Sequence, residues 1–289
     1  MATSTEISQY NPPVSDLSIS KTVSSFSVMK STIIKEFIML KRYRANLIGQ
    51  LIRTLLFILV FWFFASALEF NDFFDNSKKT VFLFYLAGFS LLMYDSVALW
   101  APYQTVTTDL TNGTLENIYV NPSPRYAYFM GSIIAQAIIS TFFFLPIFGT
   151  VIYIGGVTNT NIMFLVAAVI VTVTTLSFLG VIIALSAIMW KQVASIIGLL
   201  GTLFTFVSGM FMPISSFPIG LQYFSYIFPY TWGIDILRYY SFNRQWVPIY
   251  PIWIEWTIMF FTSFVYFIVS VKLLARVEKH AKKQGLHIL

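Results

Sequence analysis

The side chains that could support covalent or metal chemistry in this 289-residue chain are few and poorly spaced for it. The sequence has no cysteine, which excludes disulfides, thiolate metal sites and cysteine nucleophiles. Its two histidines, His280 and His287, form no H-E-x-x-H or similar ligand spacing. No lysine follows a glycine, so a phosphate-binding G-x-x-x-x-G-K-[ST] loop is missing. We therefore expect no metal or cofactor in this chain, and any ATP must be bound by another chain.

Three ionisable residues lie within or beside long apolar runs, where a charge is costly and often functional. Arg53 lies one or two turns inside the first run, so it either extends to the cytosolic headgroups or has a functional role. Asp95, in the inner half of the second run, is the best single candidate for a functional polar group. It could instead be a structural partner of Arg53 or of a cation on a neighbouring subunit. Glu255 lies between Trp253 and Trp256, which is typical of the headgroup region.

The elements that must position these residues are membrane helices, because 57% of the residues are hydrophobic and only 10% are charged. Six apolar runs are long enough to cross a bilayer at about 20 residues per crossing. They cover residues 47–68, 80–100, 126–154, 162–190, 193–212 and 251–274. The runs contain no nucleophile-and-base arrangement, which argues against a membrane-embedded enzyme. The sequence predicts an all-α integral membrane protein with six transmembrane helices.

The distribution of positive charge predicts the orientation of these spans. With both termini in the cytosol, 14 of the 18 Lys and Arg residues fall on the cytosolic side and four on the outer side. This clustering at the two ends of the apolar region indicates membrane orientation rather than nucleic-acid binding. We expect a flexible cytosolic tail at 1–22, the transmembrane domain at 46–275 and a basic cytosolic tail at 276–289.

An amphipathic helix is predicted over residues 23–45, before the first span. Phe26, Met29, Ile33, Phe37 and Leu40 recur at steps of three and four, and basic residues cover the opposite face or end. Such a helix lies on the membrane surface. The alternative is a cytosolic extension of the first span.

The loop between the second and third runs, 101–125, has a predicted short helix at about 109–121. Asn112 and Gly113 can open this helix, Glu116 suits its first turn, and Pro122 and Pro124 end it. A short helix held between two spans can act as a lever. An ordinary turn that shields the helix ends is the alternative.

The segment 213–250, between the fifth and sixth runs, is too broken by prolines to span a membrane and too apolar to be solvated. We expect it to re-enter the outer leaflet as short helices whose backbone is buried against the protein. Asp235 and Arg238 are three residues apart on one helical face. They either fix this segment as a charge pair or form a solvated surface pair of little energetic value.

Two sets of motifs, in this order and placement, resemble those of one transporter family. The first set is Asn112-Gly-Thr-Leu-Glu116 with Asn121-Pro-Ser-Pro-Arg125, and the second is Ser208-Gly-Met-Phe-Met-Pro213, Phe217-Pro218, Phe228-Pro229-Tyr230-Thr231 and Asp235-Ile-Leu-Arg238. Over nearly its whole length the chain resembles the transmembrane subunits of ATP-binding-cassette exporters of the second permease type. The 23–45 helix corresponds to the connecting helix of that family, and 213–250 to its outer re-entrant helices.

This resemblance implies a homodimer or heterodimer of permease subunits with two cytosolic ATPase subunits that bind ATP and Mg. It implies that Gly113, Thr114, Leu115, Glu116 and Tyr119 couple to the ATPase. The implied translocation path is lined by Phe89, Met93, Tyr94, Asp95, Thr202, Phe206 and Met210. The implied outer gate contains Pro213, Pro218, Pro229, Asp235 and Arg238.

The resemblance favours an amphipathic drug-like or lipid-like cargo, with polysaccharide or glycolipid export in the same superfamily as the alternative. An ATP-independent channel or secondary carrier is a further alternative. A carrier would need several buried carboxylates or histidines for coupling, and only Asp95 qualifies.

Overall fold

The computed structural model describes residues 24–42, 44–67, 77–111, 113, 125–189 and 194–284, and these ranges contain helices and no strands. The helices are α1 (Ser25–Arg42), α2 (Arg44–Ala67), α3 (Lys78–Asp95), α4 (Ala101–Thr111), α5 (Arg125–Gly155), α6 (Asn159–Met189), α7 (Ala194–Val207), α8 (Ile219–Ser225), α9 (Pro229–Ser241) and α10 (Ile252–Gln284). The predicted tail 1–22 lies outside the described residues.

Four of these helices are long and apolar enough to cross a membrane. Their spans are Leu47–Ala67, Tyr126–Gly155, Asn159–Ser186 and Ile252–Val277, which correspond to the first, third, fourth and sixth predicted runs. Helix α3 carries Lys78, Lys79 and Asp95, and α7 has only 14 residues. The chain is therefore an all-helical membrane protein with four clear candidate spans in the part that the structure describes.

Helix α6 lies at the centre of the molecule, where it packs against α10, α9, α4 and the end of α3. Two glycines allow this packing. A Cβ at Gly180 would overlap the backbone carbonyl oxygen of Ala98, and a Cβ at Gly233 would lie 2.5 Å from Thr172 Oγ1. A larger residue at Gly180 would therefore separate two backbones, and a larger residue at Gly233 would displace the Thr172 side chain.

Helix α3 continues through a single π-helical turn, Ser96–Trp100, into α4. The sequence-based prediction begins a loop at Ala101, whereas the chain stays helical to Thr111. The polar residues of α4 suggest a loop, but contacts with α5 stabilise them as a helix. Thr105 Oγ1 lies 2.6 Å from Ser132 Oγ, and Tyr128 Oη donates to the Thr105 carbonyl at 3.1 Å.

Helix α1 packs mainly along α5. Thr32 is buried at this contact, and a Cβ at Gly131 would lie 2.8 Å from Thr32 Cβ. Gln136 Nε2 donates to Glu36 Oε2 at 3.2 Å across the same interface. The apolar side chains of Phe26, Ile34, Phe37 and Ile38 remain exposed, so α1 has one face on the protein and another apolar face outward.

The segment 213–250, which we call the cap, contains a 3-10 turn at Ile214–Ser216 followed by α8 and α9. Helix α9 contains Asp235 and Arg238, as the prediction of one helical face for the two residues requires. Almost every residue of α9 is buried, because it packs against α3, α6 and α10. Helix α9 is therefore part of the folded core, whereas other cap residues such as Ile219, Tyr223 and Val247 remain exposed.

Candidate functional site

A groove of about 420 Å³ opens between α2, the α3–π segment and α7, and we call it the lateral groove. Its lining consists of Arg53, Phe57, Phe89, Leu92, Trp100, Gly198, Gly201, Thr202, Thr205 and Phe206. The Phe57 and Phe89 rings are 4.6 Å apart between centroids and form part of its wall. The groove is thus mostly apolar and aromatic, with a few polar groups from α2 and α7.

The polar groups of the groove are one cation and two threonine hydroxyls. Arg53 is exposed on α2, and no described side chain forms an ion pair or hydrogen bond with it. Thr202 Oγ1 donates to the Gly198 carbonyl at 2.9 Å, and Thr205 Oγ1 donates to the Gly201 carbonyl at 2.8 Å. The hydroxyl hydrogens are thereby used, so both threonines present acceptor oxygens to the groove.

Three residues that the resemblance assigned to a translocation path meet in this groove: Phe89, Thr202 and Phe206. Tyr94 lies elsewhere, buried between α3 and α5, where its hydroxyl is 3.0 Å from Thr141 Oγ1. Met210 is buried below the cap. The side chains of the other two assigned residues, Met93 and Asp95, lie outside the described set.

The cap is joined to the end of α7 through Arg238. Helix α7 ends at Val207, and Gly209 turns the chain with φ +79°, a conformation that favours glycine. The Arg238 guanidinium, itself buried, donates to the carbonyl oxygens of Gly209 at 2.7 Å and Met210 at 2.9 Å. It also lies over the Phe84 ring, 3.5 Å from the centroid. One side chain thus binds two backbone groups beyond the helix end.

Arg238 remains a cation at neutral pH in this environment. Burial lowers the pKa of its guanidinium to about 9, while the nearby carboxylate of Asp235 acts in the opposite direction. Its hydrogen bonds are therefore charge-assisted, which makes them stronger than bonds between neutral groups.

Asp235 binds the last part of the cap rather than pairing directly with Arg238. Its Oδ1 accepts from Trp246 Nε1 at 2.7 Å, and its Oδ2 accepts from the Ile249 backbone N–H at 2.8 Å. Asp235 and Arg238 are 5% and 2% exposed, so the alternative of a solvated surface pair is wrong. Sequence spacing places the two charges on one face but does not identify their separate partners.

Glu255, which the sequence pattern places in the headgroup region, lies in the first turn of α10 with its side chain inside the protein. It is fully buried, its Oε1 accepts from the Tyr250 N–H at 3.0 Å, and its carboxyl group meets that of Asp235. The successive amides of Ile249 and Tyr250 therefore hold two carboxyl groups side by side. The position of Glu255 at the start of an apolar run marks it as unusual in the sequence. The contact between Glu255 and Asp235 depends on tertiary structure and cannot be predicted from that position.

A second cavity, of about 460 Å³, lies within the cap. Its walls include Pro213, Gln222, Tyr226, Asp235 and Trp246. It connects the first part of the cap to the last part, next to the Asp235 carboxylate.

The three predicted gate prolines each begin a short helical element. Pro213 precedes the 3-10 turn, Pro218 precedes α8, and Pro229 is the first residue of α9. Each fixes φ near the value that a helix start needs. The coupling residues Thr114, Leu115, Glu116 and Tyr119 lie outside the described residues, whereas Gly113 forms a turn with φ +68°.

Comparison with known protein families identifies the family to which the chain belongs. The sequence model of the family described as ABC-2 type transporter matches residues 28–242, roughly three quarters of the chain. The chain belongs to the ABC-2 type transporter family. No curated protein matches it. The ABC-2 match begins within α1 and ends just after α9, so it includes both the lateral groove and Arg238. An ABC-2 membrane domain is a permease domain rather than a catalytic one.

Proposed function

We propose that this chain is the permease subunit of an ATP-driven exporter whose energy comes from two separate cytosolic ATPase subunits. The ABC-2 family match is the observation that carries this proposal. The lack of a phosphate-binding loop in the sequence supports it, because ATP and Mg would then be bound by the partners. A second permease subunit, identical or related, completes the complex.

In this proposal the subunit has six spans, with both termini in the cytosol and the cap re-entering the outer leaflet. Helix α3 with its π-helical turn supplies the second span and α7 the fifth. The excess of Lys and Arg on the cytosolic side supports this orientation. The burial of α9 against three long helices supports a cap that needs little contact with water.

The path for the cargo runs along the lateral groove, between two permease subunits. Phe89, Thr202 and Phe206 line it, and Met93 and Asp95 are proposed to add to it from α3. The mostly aromatic wall suits an amphipathic drug-like or lipid-like cargo better than a polysaccharide, because a sugar polymer would need many more polar partners. The cap, with its prolines, Asp235 and Arg238, forms the outer gate.

Coupling to the ATPase is assigned to the segment that begins at Gly113. Closure of the ATPase pair is proposed to push on this segment and shift α2, α3 and α7 towards an outward-open state. Thr114, Leu115, Glu116 and Tyr119 provide the contact.

The test is purification of the tagged full-length chain from its native host in mild detergent, followed by sequencing of its partners and an ATP hydrolysis assay. We expect a co-purifying protein with a phosphate-binding loop. We expect Glu116→Gln to reduce its recovery or its hydrolysis several-fold, while Gln104→Ala, an exposed change on α4, leaves both unchanged. Recovery of the permease without any such ATPase, or an unaffected Glu116 variant, would contradict the proposal.

A further inference from the structure

The position of Arg53 requires a physical explanation that membrane orientation alone does not supply. It lies six residues after the start of the candidate span at Leu47, about 9 Å along the helix axis. A charged side chain at that depth is costly in contact with lipid and usually faces a cavity or the interior of a bundle. Arg53 does face a cavity, because it lines the lateral groove.

The lateral groove has a net positive charge among its described lining residues. Arg53 is the single ionisable side chain among these described residues, and none of them is a carboxylate. Thr202 and Thr205 offer acceptor oxygens, since their hydroxyl hydrogens are bound to their own helix. The described lining therefore supplies no counter-charge to the guanidinium, and an anionic group on a ligand would supply one.

The rest of the groove surface favours a ligand with a large apolar part. Phe57, Phe89, Leu92, Trp100 and Phe206 are five of the ten lining residues, and the volume of about 420 Å³ falls in the range of small-molecule sites. A guanidinium binds carboxylate, sulfate or phosphate through two parallel N–H bonds. A low-dielectric surrounding strengthens that contact.

We propose that the lateral groove binds an amphipathic organic anion, with its anionic group on the Arg53 guanidinium and its apolar body against the aromatic wall. Only the identification of this ligand as the exported cargo rests on the proposed function. A lipid phosphate has the same chemistry as such a cargo. We assign the site to the cargo because the lining comes from α2, the α3–π segment and α7 together, whereas a headgroup contact would need Arg53 alone.

The experiment measures binding of a fluorescent acid, 11-(dansylamino)undecanoic acid, and of its methyl ester to the full-length protein in phosphatidylcholine nanodiscs. Energy transfer from tryptophan to dansyl reports binding, since Trp100 lines the groove. Empty nanodiscs give the partition background. The ester has the same apolar body and no charge, so the ratio of the two affinities isolates the anionic group.

We expect the wild-type protein to bind the acid at least about tenfold more tightly than the ester, as a charge-assisted bond requires. Arg53→Gln abolishes this preference and leaves ester binding within about threefold, whereas Arg53→Lys keeps part of it because the charge remains. The matched control, Arg44→Gln, removes a cation near the start of the same helix and leaves the preference intact.

A second pair of variants tests whether the groove itself is the site. A Cβ at Gly198 or at Gly49 would meet no atom within 4 Å, but only Gly198 lines the groove. Gly198→Leu therefore weakens binding of both probes about tenfold, and Gly49→Leu leaves both unchanged.

Three results would overturn the inference. One is an acid preference that survives Arg53→Gln, and another is binding that Gly198→Leu does not affect. The third is loss of the Arg53-dependent signal when the nanodiscs contain phosphatidylglycerol, which would assign the guanidinium to lipid. None of these measurements involves an ATPase, so failure of the proposed export function would appear separately, in the co-purification.

Discussion

Arg238 is the residue whose contacts link the cap to the long helices. It binds the carbonyl groups of Gly209 and Met210 and lies against the Phe84 ring. We predict that Arg238→Gln lowers the free energy of unfolding by about 3 kcal/mol, because buried hydrogen bonds to a charged group each contribute about 1.5–3 kcal/mol. The measurement is thermal unfolding of the purified protein in detergent, followed by tryptophan fluorescence.

Arg244→Gln is the matched control for this prediction. Arg244 is exposed, and its Nε donates to Asn161 Oδ1 at 3.2 Å. Its loss is expected to change stability by less than about 1 kcal/mol. Equal melting temperatures for the two variants would show that Arg238 does not hold the cap.

The adjacent carboxyl groups of Glu255 and Asp235 lead to a second prediction, in which the two substitutions have different effects on stability. Glu255→Gln retains an oxygen for the Tyr250 N–H and adds N–H donors that can bind Asp235, so we expect stability to be unchanged or about 1 kcal/mol higher. Asp235→Asn must place its amide group against one of two N–H donors, from Trp246 or Ile249, and we expect a loss of about 1–3 kcal/mol. Both are measured by thermal unfolding, and a Glu255→Gln variant as unstable as Asp235→Asn would refute this reading of the pair.

At the scale of elements, α6 and the π-helical turn are in close backbone contact at Gly180. No other described glycine lies as close to a neighbouring backbone. A methyl group at Gly180 would overlap the Ala98 carbonyl, which is backbone and cannot rotate away. We therefore predict that Gly180→Ala costs more than about 3 kcal/mol or prevents folding, as overpacking against rigid atoms does. Size-exclusion chromatography in detergent would show loss of the monodisperse peak.

Gly149→Ala provides the control on another long helix. A Cβ at Gly149 meets nothing within 4 Å, so the substitution should stabilise α5 by up to about 1 kcal/mol through helix propensity. If both alanine variants behaved like the wild type, the close packing of α6 on the turn would be wrong.

The sequence predicts the helices that can be recognised from the length and hydropathy of an apolar run alone. The bounds of α2, α5 and α6 differ from the predicted runs by only a few residues. Helix α4 could not be predicted in this way, because its polar side chains are satisfied by α5, through contacts such as Thr105 with Ser132.

Helical geometry explains why only part of the predicted path forms the lateral groove. Thr202 and Phe206 are four residues apart, so they share a face of α7. Phe89 and Tyr94 are five residues apart, which places them about 140° apart around α3, and Tyr94 consequently faces α5. Met210 falls beyond the end of α7, where the helical spacing no longer applies. The resemblance named residues, but the local backbone decides which of them share a surface.

At the scale of the whole molecule, the number of spans depends on two elements, α3 and α7. Helix α7 is the shorter of the two. Its 14 residues extend about 21 Å, less than the hydrocarbon thickness of about 30 Å. Non-helical backbone can complete a crossing only where its polar groups are satisfied by the protein. Arg238 satisfies the Gly209 and Met210 carbonyls immediately after α7. The cap folded onto the end of α7 therefore satisfies the backbone through which a crossing would continue beyond Val207.

The sequence without cysteine allows a direct test of whether α7 crosses the membrane, because a single introduced thiol reports its own side of the membrane. Val247 in the cap is 84% exposed, and Thr111 at the end of α4 is also exposed. If α5, α6 and α7 all cross, three crossings separate these positions. We predict that a membrane-impermeant maleimide labels Val247→Cys in intact cells, and labels Thr111→Cys only after permeabilisation. If α7 did not cross, both thiols would lie on one side and would be labelled together, either before or after permeabilisation. A reversed pattern would keep three crossings but invert the proposed orientation.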